Sequence, residues 1–171
     1  MKNFEFDTDY LGVFLTDGLD HKIAVERYKK RRQLLRQRYK GTIVLSGVNE
    51  EIGHQFSWLN LELMCIQDPI FLYFTGLNQY GCAFIIDSKG KETLFLQEQD
   101  SNKEFWEGIQ IAYHTDRLEY LKLLTGFDEI LPLKNLFDTV LMNYKKDVSH
   151  PIYTMWHVSD ENQKNKEDEF Y

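Results

Sequence analysis

Residues 67–86, QDPIFLYFTGLNQYGCAFII, decide the fold of this chain. The stretch opens on an apolar run, Ile70-Phe71-Leu72-Tyr73-Phe74, and closes on another, Cys82-Ala83-Phe84-Ile85-Ile86. Between them, Thr75-Gly76-Leu77-Asn78-Gln79-Tyr80-Gly81 is rich in glycine and asparagine, the residue types that supply turns. Short apolar runs bounded by turn residues read as strands buried on both faces, or as a buried helical turn followed by a strand. Periodicity alone leaves both forms open for 70–74. In either form the stretch is core.

Downstream, Asp87-Ser88-Lys89-Gly90 is a hairpin turn, so Cys82–Ile86 and Glu92–Leu96 are expected to pair antiparallel. Upstream, Asp20 caps a helix predicted over 21–39, and Gly41 stops it. Ala24, Tyr28, Leu35 and Tyr39, helped by Leu34, share one face of that helix. The other face holds Lys29, Lys30, Arg31, Arg32, Arg36 and Arg38. It is read as a solvated surface whose cations suit the negative end of the helix dipole, in preference to a site for an acidic ligand. Thr42-Ile43-Val44-Leu45 follows as a strand, and the apolar residues between Phe56 and Met64 fit another strand or an irregular packed loop. Beyond the hairpin, Asp100 or Ser101 caps a short helix that carries Phe105 and Trp106, has Glu104 placed as in a capping box, and ends at Gly108.

Further helices are predicted over 115–124 and 134–144, the second with Leu136, Phe137, Val140 and Leu141 facing inward. Pro132 suits a strand end or edge, and 151–157 reads as a last strand. Helices alternating with strands give an α/β layer arrangement. The chain divides into an N-terminal arm (1–19), one domain (20–158) and a polar tail or linker (159–171).

Composition narrows the function. Of 171 residues, 43% are hydrophobic and 15% aromatic, enough for a core. A net charge of −7 argues against nucleic acid as a partner, because phosphate binding needs clustered Lys and Arg. No apolar run approaches the ~18 residues that a membrane helix needs. Residues 1–20 are acidic and do not read as a signal peptide. Cys65 and Cys82, both in apolar surroundings, are too few for a disulfide scaffold or a zinc cage, and they fit a reducing, cytoplasmic setting.

Motifs that carry chemistry are sparse. His21, His54, His114, His150 and His157 have no His or Cys partner at ligand spacing, and the sequence has no HExxH. It also lacks GxSxG, GxGxxG and the P-loop pattern. Asp87 and Glu92 flank the hairpin and could be taken for a two-metal pair, but Asp87 is explained as a turn former. A mid-strand apolar position raises the pKa of Cys82 and does not activate it. On the residues alone, this is an α/β domain without a self-contained active site.

Tyr73-Phe74-Thr75-Gly76 and Glu104-Phe105-Trp106-Glu107-Gly108 add a family likeness. With Arg31-Arg32-Gln33-Leu34-Leu35, Gly41-Thr42-Ile43-Val44-Leu45, Gln67-Asp68, Lys91-Glu92-Thr93-Leu94-Phe95-Leu96 and Gly126-Phe127-Asp128-Glu129 in order, the chain over about 22–136 resembles the N-terminal domain of Xaa-Pro aminopeptidase (aminopeptidase P), of the creatinase/prolidase-like metallopeptidases.

The resemblance implies a mixed β-sheet of about six strands flanked by helices, ribonuclease H-like. It implies a non-catalytic domain that helps oligomer assembly and walls one side of the substrate cleft. Two manganese ions would belong to the catalytic domain of the parent, whose Asp, Asp, His, Glu and Glu ligands nothing here matches. Partners implied are that catalytic domain, further copies of the chain, and short proline-containing peptides, with no membrane. Trp106 matches the tryptophan of the family's ExWxG pattern. It either borders the cleft, stacking on a proline-containing substrate, or packs on its own helix.

The chain departs from the family at Leu63-Met64-Cys65-Ile66 and at Gln97-Glu98-Gln99, where the family often has arginines, so contacts of those arginines are not carried over. The alternative is a stand-alone peptide- or protein-binding module derived from an inactive relative. A nuclease of ribonuclease H type lacks an aligned carboxylate set.

Overall fold

The computed structural model describes residues 10, 12–48, 67–100 and 110–154. Helix α1 (His21–Arg38) begins where the Asp20 side chain accepts a hydrogen bond from the Lys22 amide at 3.0 Å. Strand β1 (Thr42–Ser46) follows. The apolar run at 70–74 is helical: α2 spans Pro69–Thr75. Its ends explain the choice. The Asp68 carboxylate accepts from the amides of Ile70 and Phe71 at 2.9 and 2.7 Å, Pro69 pre-sets the first turn, and Gly76 ends the helix at φ 73°.

Strands β2 (Cys82–Ile86) and β3 (Glu92–Leu96) form the expected antiparallel hairpin, from Cys82 opposite Leu96 to Ile86 opposite Glu92. A 3₁₀ turn (Thr115–Arg117) leads into α3 (Leu118–Thr125). Strand β4 (Glu129–Pro132) and a second 3₁₀ turn (Leu133–Asn135) precede α4 (Leu136–Lys146), and β5 (Ile152–Thr154) closes the described chain.

Among the described residues the strands form one five-stranded mixed sheet, ordered β4-β3-β2-β1-β5. β1 and β2 are antiparallel, whereas β3–β4 and β1–β5 are parallel. Pro132 ends an edge strand, where its missing N–H breaks no ladder. β2 and β3 are buried on both faces, which is why they read as continuous apolar runs. Alternation sends Cys82, Phe84, Ile86, Leu94 and Leu96 to a large core under α1, α2 and α3. Ala83, Ile85 and Phe95 face a smaller cluster, where Leu136 and Val140 of α4 meet the sheet. Tyr10 and Phe14 also lie in the large core, and Leu15 and Asn78 tie this N-terminal segment to the α2 turn through Leu15 N–H to Gly76 O (2.8 Å) and Asn78 N–H to Val13 O (2.7 Å).

Two expectations need correction. Phe137 and Leu141 do not face inward; Phe137 is 75% exposed. Each follows Leu136 or Val140 by one residue, which turns it about 100° round the helix, away from the sheet. The basic face of α1 is not uniformly solvated either. Arg36 donates to Lys89 O at 2.6 Å, and Arg32 is fully buried.

Arg32 joins four elements. Its Nε donates to Glu92 Oε2 at 2.6 Å, Nη1 to Phe74 O at 3.0 Å and Nη2 to Gly126 O at 3.0 Å. The guanidinium also lies 3.9 Å from the centroid of the Phe127 ring. Phe74 is in the last turn of α2 and Gly126 caps α3, so one cation satisfies carbonyls at two helix C-termini, where the dipoles are negative. Burial pushes the Glu92 carboxyl up and the Arg32 guanidinium down, and each partner opposes the other's shift.

His21, at the start of α1, shares a hydrogen bond with Leu124 O at 2.9 Å and packs on the Phe14 ring at 5.1 Å. Burial pulls its pKa below the ordinary 6.5, against the Leu124 carbonyl and the nearby Asp20 charge. The neutral form is therefore favoured by folding. Below about pH 6.5 the unfolded chain binds a proton that the folded chain does not, so stability falls as pH falls through that value. Denaturant midpoints measured across about pH 7.5 to 5.5 are expected to drop, and His21→Gln is expected to flatten that part of the profile.

Candidate functional site

A buried polar network lies at the end of the sheet where β1 and β3 finish and β2 begins. Two buried glutamines organise it. The Gln67 carboxamide oxygen accepts from the amides of Val48 and Asp68 at 2.7 and 2.8 Å, while its nitrogen donates to Gln79 O. The Gln79 side chain makes a reciprocal pair with Ile111, accepting from its amide at 2.8 Å and donating to its carbonyl at 3.0 Å. A neutral amide offers both donor and acceptor, so it satisfies buried peptide groups without the desolvation penalty of a charge. Together these bonds join the loops after β1, before α2, after α2 and before α3.

The chain on both sides of 101–109 is fixed to this end of the sheet. Tyr113 N–H donates to Gln97 O at 2.7 Å, Gln99 N–H to Tyr113 O at 3.3 Å, and Glu98 bridges Tyr113 in parallel. Glu98 also pairs with Lys134 at 2.7 Å. Trp106, the residue expected at the cleft, lies outside the described residues, as do Cys65, His54 and His157.

Other nominated groups have structural duties. Asp87 Oδ1 accepts from the amides of Lys89 and Lys91 at 2.9 and 2.8 Å, which makes the hairpin turn, and Glu92 is paired with Arg32. The Cys82 thiol is buried and donates to Gln79 O at 3.2 Å. His114 accepts from the Asp116 amide at 3.2 Å, opening the 3₁₀ turn. His150 lies 2.7 Å from Asp147 and holds that carboxyl below its usual range. Among the described residues, no group of three or more His, Cys, Asp or Glu could hold a metal ion, and no helix is long and apolar enough to cross a membrane. An apolar groove of about 230 Å³ lies between α1, α2 and the β1–β5 edge, lined by Leu35, Tyr39, Ile70, Phe74 and Tyr153 among others. Its walls are mostly apolar, with the hydroxyl-bearing side chains of Tyr39, Tyr153 and Thr154 among them.

Sequence reasoning missed Gln67, Gln79 and Arg32 as organising groups. For Gln67 and Gln79 the available signal was a polar side chain close to an apolar run, but which loop each would meet depends on contacts distant in sequence; Arg32, one cation among several, carried none.

The described fold is thus a mixed α/β domain whose polar groups hold loops and helix ends in place. The family model for the aminopeptidase P N-terminal domain matches residues 28–153. The chain belongs to this family. The match extends past the stretch of motifs, into β5.

Solved structures agree on the fold. Aminopeptidase PepP from Pseudomonas aeruginosa is 18% identical with a TM-score of 0.61, the match covering 87% of this chain and 32% of that one. Icp55 from Saccharomyces cerevisiae is 16% identical with a TM-score of 0.59, covering 85% and 33%. A zinc-substituted aminopeptidase P from E. coli, in complex with product, is 17% identical with a TM-score of 0.53, covering 69% and 26%. The chain therefore spans a third or less of the length of these relatives. The comparison with curated proteins returned no match.

Proposed function

We propose that this chain serves as the non-catalytic N-terminal domain of a proline-specific metallo-aminopeptidase, contributing to oligomer assembly and to one wall of the substrate cleft. The family match over residues 28–153 carries the reading. It is supported by the engagement of Asp87 and Glu92 in turn and core, which leaves neither placed to activate a water. The described residues do not fit a two-metal centre. Manganese and the hydrolytic step are assigned to a catalytic domain of the parent protein, in the cytoplasm.

Trp106 is the proposed cleft residue. An indole offers a large apolar face on which a proline ring stacks while water is excluded. The described residues on either side of its segment are held by bonds of Gln79, Gln97 and Gln99.

Two measurements test the reading. The purified chain with added Mn²⁺ is expected to leave Xaa-Pro dipeptides intact; hydrolysis that is lost on Trp106→Ala or on a carboxylate substitution would overturn the non-catalytic assignment. The coding sequence beyond Tyr171 is expected to continue into a domain with the Asp, Asp, His, Glu, Glu ligand pattern. A stop codon there would favour the stand-alone binding module instead.

A further inference from the structure

The apolar groove between α1, α2 and the β1–β5 edge is bordered by charge of one sign. Its walls include Leu35 and Tyr39 at the C-terminal end of α1, Ile70 and Phe74 on α2, and Tyr153 on β5. Tyr39 and Ile70 remain 37% and 47% exposed, so the groove opens to the surface.

Residues 29–48, 69–86 and 148–154 supply every wall of the groove and contain no Asp or Glu, whereas seven cations fall within 29–40. Asp68, next to α2, is turned to the amides of Ile70 and Phe71. Three of the cations are committed elsewhere: Lys29 to Glu26, Arg32 to Glu92 and Arg36 to Lys89 O. Three others border the groove. Arg31 and Arg38 stand four residues before and three after Leu35, on its face of α1, and Arg38 and Lys40 flank Tyr39. None of these three has a carboxylate partner among the described residues. Arg31 is fixed against α2: it donates to Tyr73 O at 2.8 Å and its guanidinium lies 4.1 Å from the Tyr73 ring centroid. The fork keeps further N–H donors for an anion. In a chain of net charge −7, this sector is cationic.

We propose that the groove binds an acidic segment of another protein, which inserts one or two large apolar side chains between α1, α2 and β5 and sets carboxylates on Arg31, Arg38 and Lys40. Charge complementarity selects the acid. Size selects the anchor: about 230 Å³ is below the roughly 300–1,000 Å³ of small-molecule sites, and suits side chains better than a whole ligand. A concave apolar pocket with a charged rim is the form in which one buried anchor carries a protein contact, and a flat bilayer does not enter it. The partner acts in trans, so the inference does not rest on the peptidase reading.

Fluorescence anisotropy on the full chain tests it, with a short fluorescein-labelled peptide that carries a Leu-Phe pair between two runs of glutamate. Saturable binding is expected with a dissociation constant of roughly 10–100 µM, as for a small transient contact. Three changes should each weaken it by about tenfold or more: alanines in place of the Leu-Phe pair, Ile70→Glu, and Arg38→Glu combined with Lys40→Glu. Lys134→Glu, beyond β4 at the opposite edge of the sheet, should leave it within about twofold. All the substituted positions are exposed, and circular dichroism verifies that the variants keep the fold.

Binding that is undiminished with the alanine peptide is capture of a polyanion and overturns the proposal. Binding indifferent to Ile70→Glu and to the double reversal lies elsewhere and overturns it too. No saturation by about 1 mM has the same force, and is the result expected if the chain's own residues 155–171 fill the groove. Capture of the chain by phosphatidylserine vesicles in place of the peptide, or a dimer of the free chain that Ile70→Glu dissolves, would give the groove to a membrane or a second copy instead.

Discussion

Arg32→Met is expected to destabilise the fold by about 3–5 kcal/mol, a large share of the ~5–15 kcal/mol that holds a domain together. Methionine matches the stem of arginine in length, so lost packing is a small part of the effect. The larger part is what remains behind. Glu92 would stay in the core without its 2.6 Å partner, and the carbonyls of Phe74 and Gly126 would lose their donors. An unpaired buried carboxylate costs more than the pair contributed, because its desolvation is no longer offset.

A pH dependence follows with a definite sign. Burial already pushes the Glu92 carboxyl up, and Arg32 is what pulls it back. Without Arg32 the folded-state pKa rises further above the unfolded one. The variant should therefore be least perturbed at acid pH, where both states are protonated, and should lose stability as pH rises through the carboxylate range. Combining Arg32→Met with Glu92→Met should recover much of the loss, since apolar replacement of a buried pair is often near neutral. Urea denaturation of the single and double variants between about pH 4 and 7 reads all three outcomes. A single variant as stable as the parent at neutral pH would show that the pair is not a structural centre.

Phe84→Ala is expected to cost about 3–5 kcal/mol, through lost burial and the cavity left behind. Phe84 is fully buried on the central strand β2, opposite Leu94 of β3 and Leu45 of β1. Its ring lies 5.8 Å from that of Phe71 on α2 and 5.7 Å from that of Phe127 before β4. The surrounding strands are held by ladders on both sides, so they cannot close on the space. Phe84→Leu should cost distinctly less because it retains more of the volume. The check is a fall in urea midpoint with an unchanged m-value, which separates lost stability from a changed unfolded state.

Much of this architecture is legible one residue at a time. Asp68-Pro69 followed by Gly76 contains a cap, a first-turn proline and a left-handed stop, so the helical form of 70–74 was written at its ends even though its apolar run was ambiguous. The hairpin at Asp87-Ser88-Lys89-Gly90, the antiparallel pairing of β2 with β3 and the edge position of Pro132 likewise follow from local chemistry. The five-stranded mixed sheet fits the α/β class expected from the order of elements. The family was legible too, from motifs in a fixed order.

What sequence could not assign was partnership. Arg32 sits in a run of six cations within 29–38, and nothing local distinguishes the one that turns inward. Only packing α1 across the ends of α2 and α3 brings Phe74 O, Gly126 O and Glu92 to one point, and those groups are 42, 94 and 60 residues away. Phe137 and Leu141 failed for the converse reason. Their spacing defines an apolar stripe, but a stripe does not say which neighbour it meets, and the sheet was already covered by Leu136 and Val140. Sequence by itself determined the elements, their caps and the family, because those depend on residues a few positions apart. The tertiary structure alone decided which charge is buried and which apolar face stays open, because burial is set by contacts that chain order does not encode locally.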